Sequence, residues 1–316
     1  MALDLSDTLV IGISATALFD LEEVDSVFRK SYENNPDTAI EEYRKYMLDR
    51  EDDELAEGTG YPLVKALLEL NKYQQDNQSP LVEVVVMSRN SPESGLRILN
   101  TIRKKGLQIS RSAFTAGESV VDYLEAFDVD LFLTTYKADA QQVIDSRMCA
   151  AALLKEPPKQ MDKIPEGQVR IAFDGDAVLF DDSSELIYKK QGLKAFQDNE
   201  NSNQDKPLNE GPYASFLRKL SCLQKRLPMR IEYSPVRIAI VTARNSPAEM
   251  RVIKTLRNWG VYVDEAFFLG GVEKSKVLKA FKPHIFFDDQ DTHLDTASKE
   301  VPSGKVPYHS ESELNI

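Results

Sequence analysis

Two aspartates stand two residues apart at the end of an apolar run. In VRIAFDGDAVLF, residues 169–180, Asp174 follows Val169–Phe173 directly and Asp176 comes after a single glycine. Carboxylates at that spacing supply a nucleophile and an acid/base, or oxygens for a metal. A DxD alone is weak, because solvated turns carry it too, so its meaning depends on what the chain brings beside it. Three other stretches end on reactive groups. IAIVT places Thr242 after Arg237–Val241, a helical pattern over Val272–Phe281 carries Lys274 and Lys276, and HIFFDD places Asp288 and Asp289 after His284–Phe287. A hydroxyl and an ammonium hold the oxygens of a transferred anion, and clustered carboxylates hold a hard cation. Residue types and spacing reach as far as phosphoryl transfer.

Positioning such groups calls for a parallel sheet. Short apolar runs bounded by turn residues suit strands covered on both faces, and ligands bind at the carboxyl ends of strands in such sheets. The spacing predicts strands at Leu9–Ile13, Val82–Met87, Leu131–Leu133, Val169–Phe173, Arg237–Val241, Ala266–Leu269 and His284–Phe287, with helices between them. A helical pattern is read over Ala138–Leu154, and fraying is expected after His309. Lys155–Gly167, KEPPKQMDKIPEG, reads as a linker. It divides the chain into lobes at 1–160 and 161–316, with an insertion at about 183–230.

The two lobes repeat one pattern. Arg89-Asn90-Ser91-Pro92 matches Arg244-Asn245-Ser246-Pro247, and Arg97, Thr101, Arg103 and Gly106 fall on Arg251, Thr255, Arg257 and Gly260. Identity at turn residues goes beyond what core periodicity produces, so duplication is the better reading. It also serves as a control. Asp174 and Asp176 fall on uncharged residues around Ile13–Thr16, Thr242 on Met87, Lys274 on Val120, and Asp288-Asp289 on Thr134-Thr135. Every candidate group is in the second copy and absent from the first. Asp128 and Asp130 precede their apolar run and read as a solvated turn at the wrong strand end.

Composition narrows the classes. A formal charge of −12 argues against a nucleic-acid polymer as partner, which needs a basic face. No apolar run is long enough for a membrane span, and no basic residue precedes the first apolar run, so a signal peptide is not expected. Cys149 and Cys222 are too few for a disulfide framework, which fits a cytoplasmic location. Arg244 and Asn245 are expected to open the helix after Thr242, where phosphate could bind, although their recurrence as Arg89 and Asn90 favours a turn-and-cap role. Asp181, Asp182 and Glu185 read as a helix start.

The order DGDAV, IAIVT, a helical lysine, and HIFFDD resembles the haloacid dehalogenase (HAD) superfamily of phosphotransferases. Over nearly the whole chain the sequence is similar to the AMP-preferring cytosolic 5′-nucleotidase type I family, in RIAFDGDAVLF, VTAR, KTLRNWG, DEAFFL and KPHIFFDDQ. The resemblance implies an α/β HAD-like Rossmannoid parallel sheet with a helical cap insertion, preceded by a degenerate lobe. It implies Mg²⁺-dependent hydrolysis of nucleoside 5′-monophosphates through an aspartyl-phosphate. Asp174 would be the nucleophile and Asp176 the acid/base. Thr242 and Lys274 would hold the phosphate, with Arg244 and Asn245 as further candidates, and Lys274 is preferred to Lys276 because it aligns with the family's lysine. Asp174, Asp176 (through its backbone carbonyl), Asp288 and Asp289 would hold the metal. Candidates for stacking on the base are Phe196, Tyr213 and Phe216. Regulation by ADP or ATP and self-association are expectations of the same kind. A sugar-phosphate phosphatase of the same superfamily and a nucleotide-binding regulator without turnover are the alternatives.

Overall fold

The computed structural model describes residues 5–76, 78–159, 163–228 and 233–315, apart from the side chain of residue 25. The lobe boundary read at 160 and 161, and the end of the insertion read at 229 and 230, lie outside the described residues.

The first half runs β1 (Leu9–Ser14), α1 (Ala15–Leu18), β2 (Phe19–Asp20), α2 (Glu22–Asn34), α3 (Pro36–Asp49), β3 (Ala56–Glu57), α4 (Tyr61–Leu68), β4 (Val82–Ser88), α5 (Leu96–Lys104), β5 (Arg111–Phe114), β6 (Leu131–Thr134), α6 (Lys137–Ser146) and β7 (Ala150–Leu154). The second runs β8 (Val169–Phe173), α7 (Ser183–Ser202), α8 (Ala214–Arg226), β9 (Val236–Thr242), α9 (Glu249–Asn258), β10 (Glu265–Phe268), α10 (Lys274–Phe281), β11 (Ile285–Asp288), α11 (Asp291–Ala297) and β12 (Ser303–Lys305). Among the described residues no helix is long and apolar enough to cross a membrane. Both cysteines are free.

Ten strands form one sheet in the order β10-β9-β8-β11-β12-β7-β6-β1-β4-β5. All neighbours in it are parallel except β12 and β7, which pair antiparallel. Each half has the same internal order about its first strand, and the two halves meet along their last strands. Their carboxyl edges therefore point in opposite directions. The inner strands are buried on both faces, as βαβ crossovers require, and the edge strands β5 and β10 are partly exposed. In β8, Ile171 and Phe173 join the main core, while Ala172 faces a second cluster under α10 and α11.

The repeat extends to single hydrogen bonds. Leu55 N–H donates to Thr101 Oγ1 at 3.2 Å, and Leu208 N–H to Thr255 Oγ1 at 2.9 Å. Arg97 Nε donates to the Asp53 carbonyl, and Arg251 Nε to that of Lys206. Gly58 and Gly211 donate to the Leu18 and Leu179 carbonyls. A side chain at Gly211 would put its Cβ 2.2 Å from the Phe180 oxygen, and one at Gly58 would stand 2.7 Å from the Ala17 oxygen. In both halves a loop runs so close to the turn after the first strand that only glycine fits.

Three expectations are corrected. The helical pattern over Ala138–Leu154 ends at Ser146, and Ala150–Leu154 is a strand between β6 and β12. The tail does not fray after His309. Ser310 Oγ bonds Asp145 on α6 at 2.6 Å, Ser312 bonds Asp182, and Glu313 pairs with Lys190 on α7. Asp128 is exposed, but Asp130 is only partly so; its Oδ2 accepts the Val10 N–H at 2.8 Å and pins the start of β1.

Candidate active site

Four elements of the second half converge at its carboxyl edge. Phe173 lies opposite Phe287 in the ladder, and Asp174 N–H donates to the Phe287 carbonyl at 2.8 Å, so Asp174 and Asp288 leave the sheet side by side. On the other flank β9 ends at Thr242. Thr242 Oγ1 accepts the Arg244 N–H and would stand 3.3 Å from a Cβ on Gly175. The glycine lets the turn after Asp174 pass close to that hydroxyl. Lys274 opens α10 and sends its ammonium between the acids, 2.9 Å from Asp174 Oδ2 and 2.7 Å from Asp288 Oδ2. Asp174, Thr242, Lys274 and Asp288 are all buried, while Lys276 is exposed.

The turn after β8 is a single wide loop closed by Phe180 N–H on the Gly175 carbonyl. Within it Asp176 is extended and Ala177 sits at φ 57°, a left-handed conformation that a side chain adopts at a cost. Residues 209–213 hold the loop through Gly211 and Tyr213, whose amides donate to Leu179 and Val178.

The electrostatics follow from burying several acids around one ammonium. Burial pushes Asp174 up to about 7; Lys274 pulls against that and Asp288 adds to it. Asp288 is buried too, but Lys274 and His293 outweigh that and hold it below the ordinary carboxylate range. Asp289 is driven well above the range by burial and then by Asp174, Asp288 and Glu185. Lys274 is held protonated despite burial, because Asp174 and Asp288 flank it.

This cluster suits a cation. Asp174, Asp288 and His293 offer ligand atoms that all lie within 4.8 Å of one another. Asp289 Oδ1 is buried with no hydrogen-bond partner, an oxygen left for something the protein does not provide. A set dominated by carboxylate oxygens fits a hard divalent ion. Of the four residues named for the metal, Asp174 and Asp288 come together. Asp289 lies beside them with Oδ2 accepting from the Tyr308 hydroxyl, and the Asp176 carboxylate turns to Arg244.

Arg244 and Asn245 do not open a helix, because α9 begins at Glu249 and both lie in the preceding turn. Arg244 is buried, with Nε, Nη1 and Nη2 all engaged by carboxylates. Asn245 packs under Gly270. The insertion divides its work: α7 stands beside the site, whereas α8 sinks Phe216, Leu217 and Leu220 into the core. Tyr213 and Phe216 pack with Phe173 and Phe287 and are not free to stack on a base. Phe196 lies against Arg244.

Sequence reasoning passed over His293, Glu200, Tyr308 and Gln290, and read Glu185 only as part of a helix start. His293 Nδ1 is 3.2 Å from Asp288 Oδ2, Gln290 bridges to Glu185 at 3.0 Å, and Lys189 pairs with Glu185 at 2.9 Å. The repeat carried a signal for His293, which falls on Asp139, the partner of Arg89. Nothing local marks Glu200 or Tyr308, since their partners Arg244 and Asp289 lie 44 and 19 residues away in sequence.

A family model described as 5′-nucleotidase matches residues 1–313. The chain is 36% identical over 299 residues to human cytosolic 5′-nucleotidase 1B, covering 93% of this chain and 48% of that protein. It therefore spans about half the length of that relative. A solved histidinol dehydrogenase from Elizabethkingia anophelis aligns over 93% of this chain and 75% of its own at 10% identity, with a TM-score of 0.24, too low to bear on the fold.

Proposed function

The chain belongs to the 5′-nucleotidase family, and on that premise we propose that it hydrolyses nucleoside 5′-monophosphates, AMP foremost, with Mg²⁺ and through an aspartyl-phosphate on Asp174. The observation that carries the reading is the convergence of Asp174, Thr242, Lys274 and Asp288 from four separate elements on one buried edge. Catalysis is ascribed to 161–316, and 1–160 to a degenerate, non-catalytic lobe. AMP preference and a cytoplasmic location rest on the resemblance to the type I family.

In this mechanism an Asp174 oxygen attacks phosphorus as the bond to the ribose 5′-oxygen breaks. The departing oxygen takes a proton from Asp176. Water then attacks the aspartyl-phosphate, giving its proton to Asp176 and releasing phosphate and free Asp174. Thr242 Oγ1 and Lys274 Nζ hold the non-bridging oxygens, and Lys274 offsets the charge that gathers there. Asp174, Asp288, Asp289 and the Asp176 carbonyl would hold Mg²⁺, which would supply charge neutralisation for the phosphate dianion. His293 orients Asp288 through its Nδ1 contact.

The test is phosphate release from AMP, IMP, CMP, dAMP, UMP and a few sugar phosphates, with Mg²⁺ or EDTA, for wild type and Asp174→Asn. Metal-dependent release from AMP that the substitution abolishes supports the reading. Release confined to sugar phosphates overturns the substrate class and keeps the chemistry. Binding without release points to a regulator. Adding ADP or ATP to the same assay, and measuring mass in solution, tests nucleotide regulation and self-association.

A further inference from the structure

Arg244 grips Asp176 with both arms of its fork, Nε to Oδ2 at 2.8 Å and Nη2 to Oδ1 at 2.5 Å. Its third nitrogen, Nη1, donates to Glu200 Oε2 at 2.6 Å. Glu200 lies on α7, has no exposed surface, and is saturated from its other side by Arg251 Nη1 and Ser184 Oγ, both at 2.9 Å. The guanidinium also lies over the rings of Phe180 and Phe196, 5.8 and 5.4 Å from their centroids. A planar cation held by two carboxylates and two ring faces has one available orientation, and it passes that orientation to whatever it grips.

The first half shows what the same arginine does without an acid/base. Arg89 occupies the equivalent turn, and the position of Asp176 is held there by an uncharged residue. Arg89 turns instead to Asp139 at the start of α6 and to the Gly117 carbonyl. In the second half the position of Asp139 holds His293, and the arginine faces Asp176. The arginine is thus a turn residue of the fold that changes partner where a carboxylate enters the site.

We propose that Arg244 is the positioning residue for Asp176, and that Glu200 braces it so that leaving-group protonation depends on the seating of α7. Arg244 does not bind the phosphate. The inference rests on the phosphatase reading and on Asp176 as the acid/base.

The test compares kcat/KM for AMP, whose alkoxide must be protonated to leave, with that for p-nitrophenyl phosphate, whose phenolate leaves without a proton. Arg244→Lys keeps the charge and loses the fork; Glu200→Gln removes the brace. Each is expected to lower kcat/KM for AMP by about 10- to 100-fold, a part of what a general acid contributes, and for the aryl ester by less than about threefold. The inhibition constant of inorganic phosphate is expected to stay within about twofold. Asp176→Asn is expected to show the same split, larger. Arg251→Met, which leaves the Arg244–Asp176 contact in place and removes one support of Glu200, gives a milder split if the other two fold poorly. Equal losses on both esters, or a weakened phosphate constant, overturn the inference and leave the phosphatase reading intact. Wild type without metal-dependent release from either ester overturns the reading itself.

Discussion

Replacing Lys274 by methionine keeps the length of the side chain and removes the one cation placed between Asp174 and Asp288, at 2.9 and 2.7 Å. With Lys274 in place, Asp174 is already pushed from 3.8 to about 7 by burial, and that rise costs roughly 4 kcal/mol of stability once the group is ionised. Because its folded pKa is the higher one, the stability that this group contributes is fully present below about pH 4 and is lost as pH rises through about 7. Removing Lys274 lifts that pKa further. Breaking a buried pair costs about 3–5 kcal/mol. Since one acid escapes by keeping a proton, the net loss is expected at about 2–4 kcal/mol at pH 8 and less at pH 5. For a chain of this size that is roughly 4–8 °C in Tm. The assay is thermal unfolding of wild type and Lys274→Met at pH 5 and pH 8, in EDTA and in Mg²⁺. The variant should gain more from the metal than wild type does, because a dication replaces the missing charge and its binding adds to folding stability. Turnover should fall by about 10²–10³-fold. Equal stability at pH 8 in EDTA, or a gap that Mg²⁺ does not narrow, would refute the electrostatic account.

Other consequences follow from single contacts. Tyr308→Phe strips Asp289 of its hydroxyl donor and should cost about 1–3 kcal/mol by denaturant midpoint; an unchanged midpoint would mean that the Tyr308 bond carries no stability. His284 accepts the Arg170 N–H at 3.0 Å and is pushed by burial from 6.5 down to about 4. Stability present above about pH 6.5 should therefore be lost as pH falls towards 4, by roughly 3 kcal/mol. NMR titration should find this imidazole still neutral at pH 5.5, and a ring charged there would contradict the assignment. Thr255→Val and Thr101→Val should each lose about 1 kcal/mol or more by leaving the Leu208 or Leu55 amide unpaired. Unfolding curves that show a loss in only one of the two would break the equivalence of the halves.

What the sequence made legible was local or repeated. The runs ending at Asp174, Thr242 and Asp288 are strands with the chemistry at the anticipated end, because apolar runs and turn residues are short-range signals. The strand Ala150–Leu154 was hidden because AAALL is a good helix-forming sequence. Its place against β12 decides the matter, since a Cβ added at Gly304 would stand 2.9 Å from that of Ala152, and only small residues let the backbones pair. β12 itself, Ser-Gly-Lys, carries no periodicity and exists because β11 and β7 both offer it partners. The carboxylates, hydroxyl and ammonium of the candidate site were readable, and their supports were not. Glu200 and Arg244 are 44 residues apart, and Tyr308 and Asp289 are 19 apart. No spacing rule brings such pairs together before the fold does.

The antiparallel seam between β12 and β7 has a consequence for origin. Two copies of one unit, joined edge to edge with carboxyl ends opposed, are related by a two-fold axis, the symmetry of a homodimer that shares its sheet across the interface. In such a dimer both outer halves would present a working pocket, on opposite sides of the molecule. Here the covalent chain has made the copies inseparable, and the seam has removed two open strand edges that would otherwise invite pairing with other chains. At their carboxyl edges the halves differ in chemistry, the second carrying Asp288 and Asp289 where the first carries Thr134 and Thr135, while each supplies five strands to the common sheet.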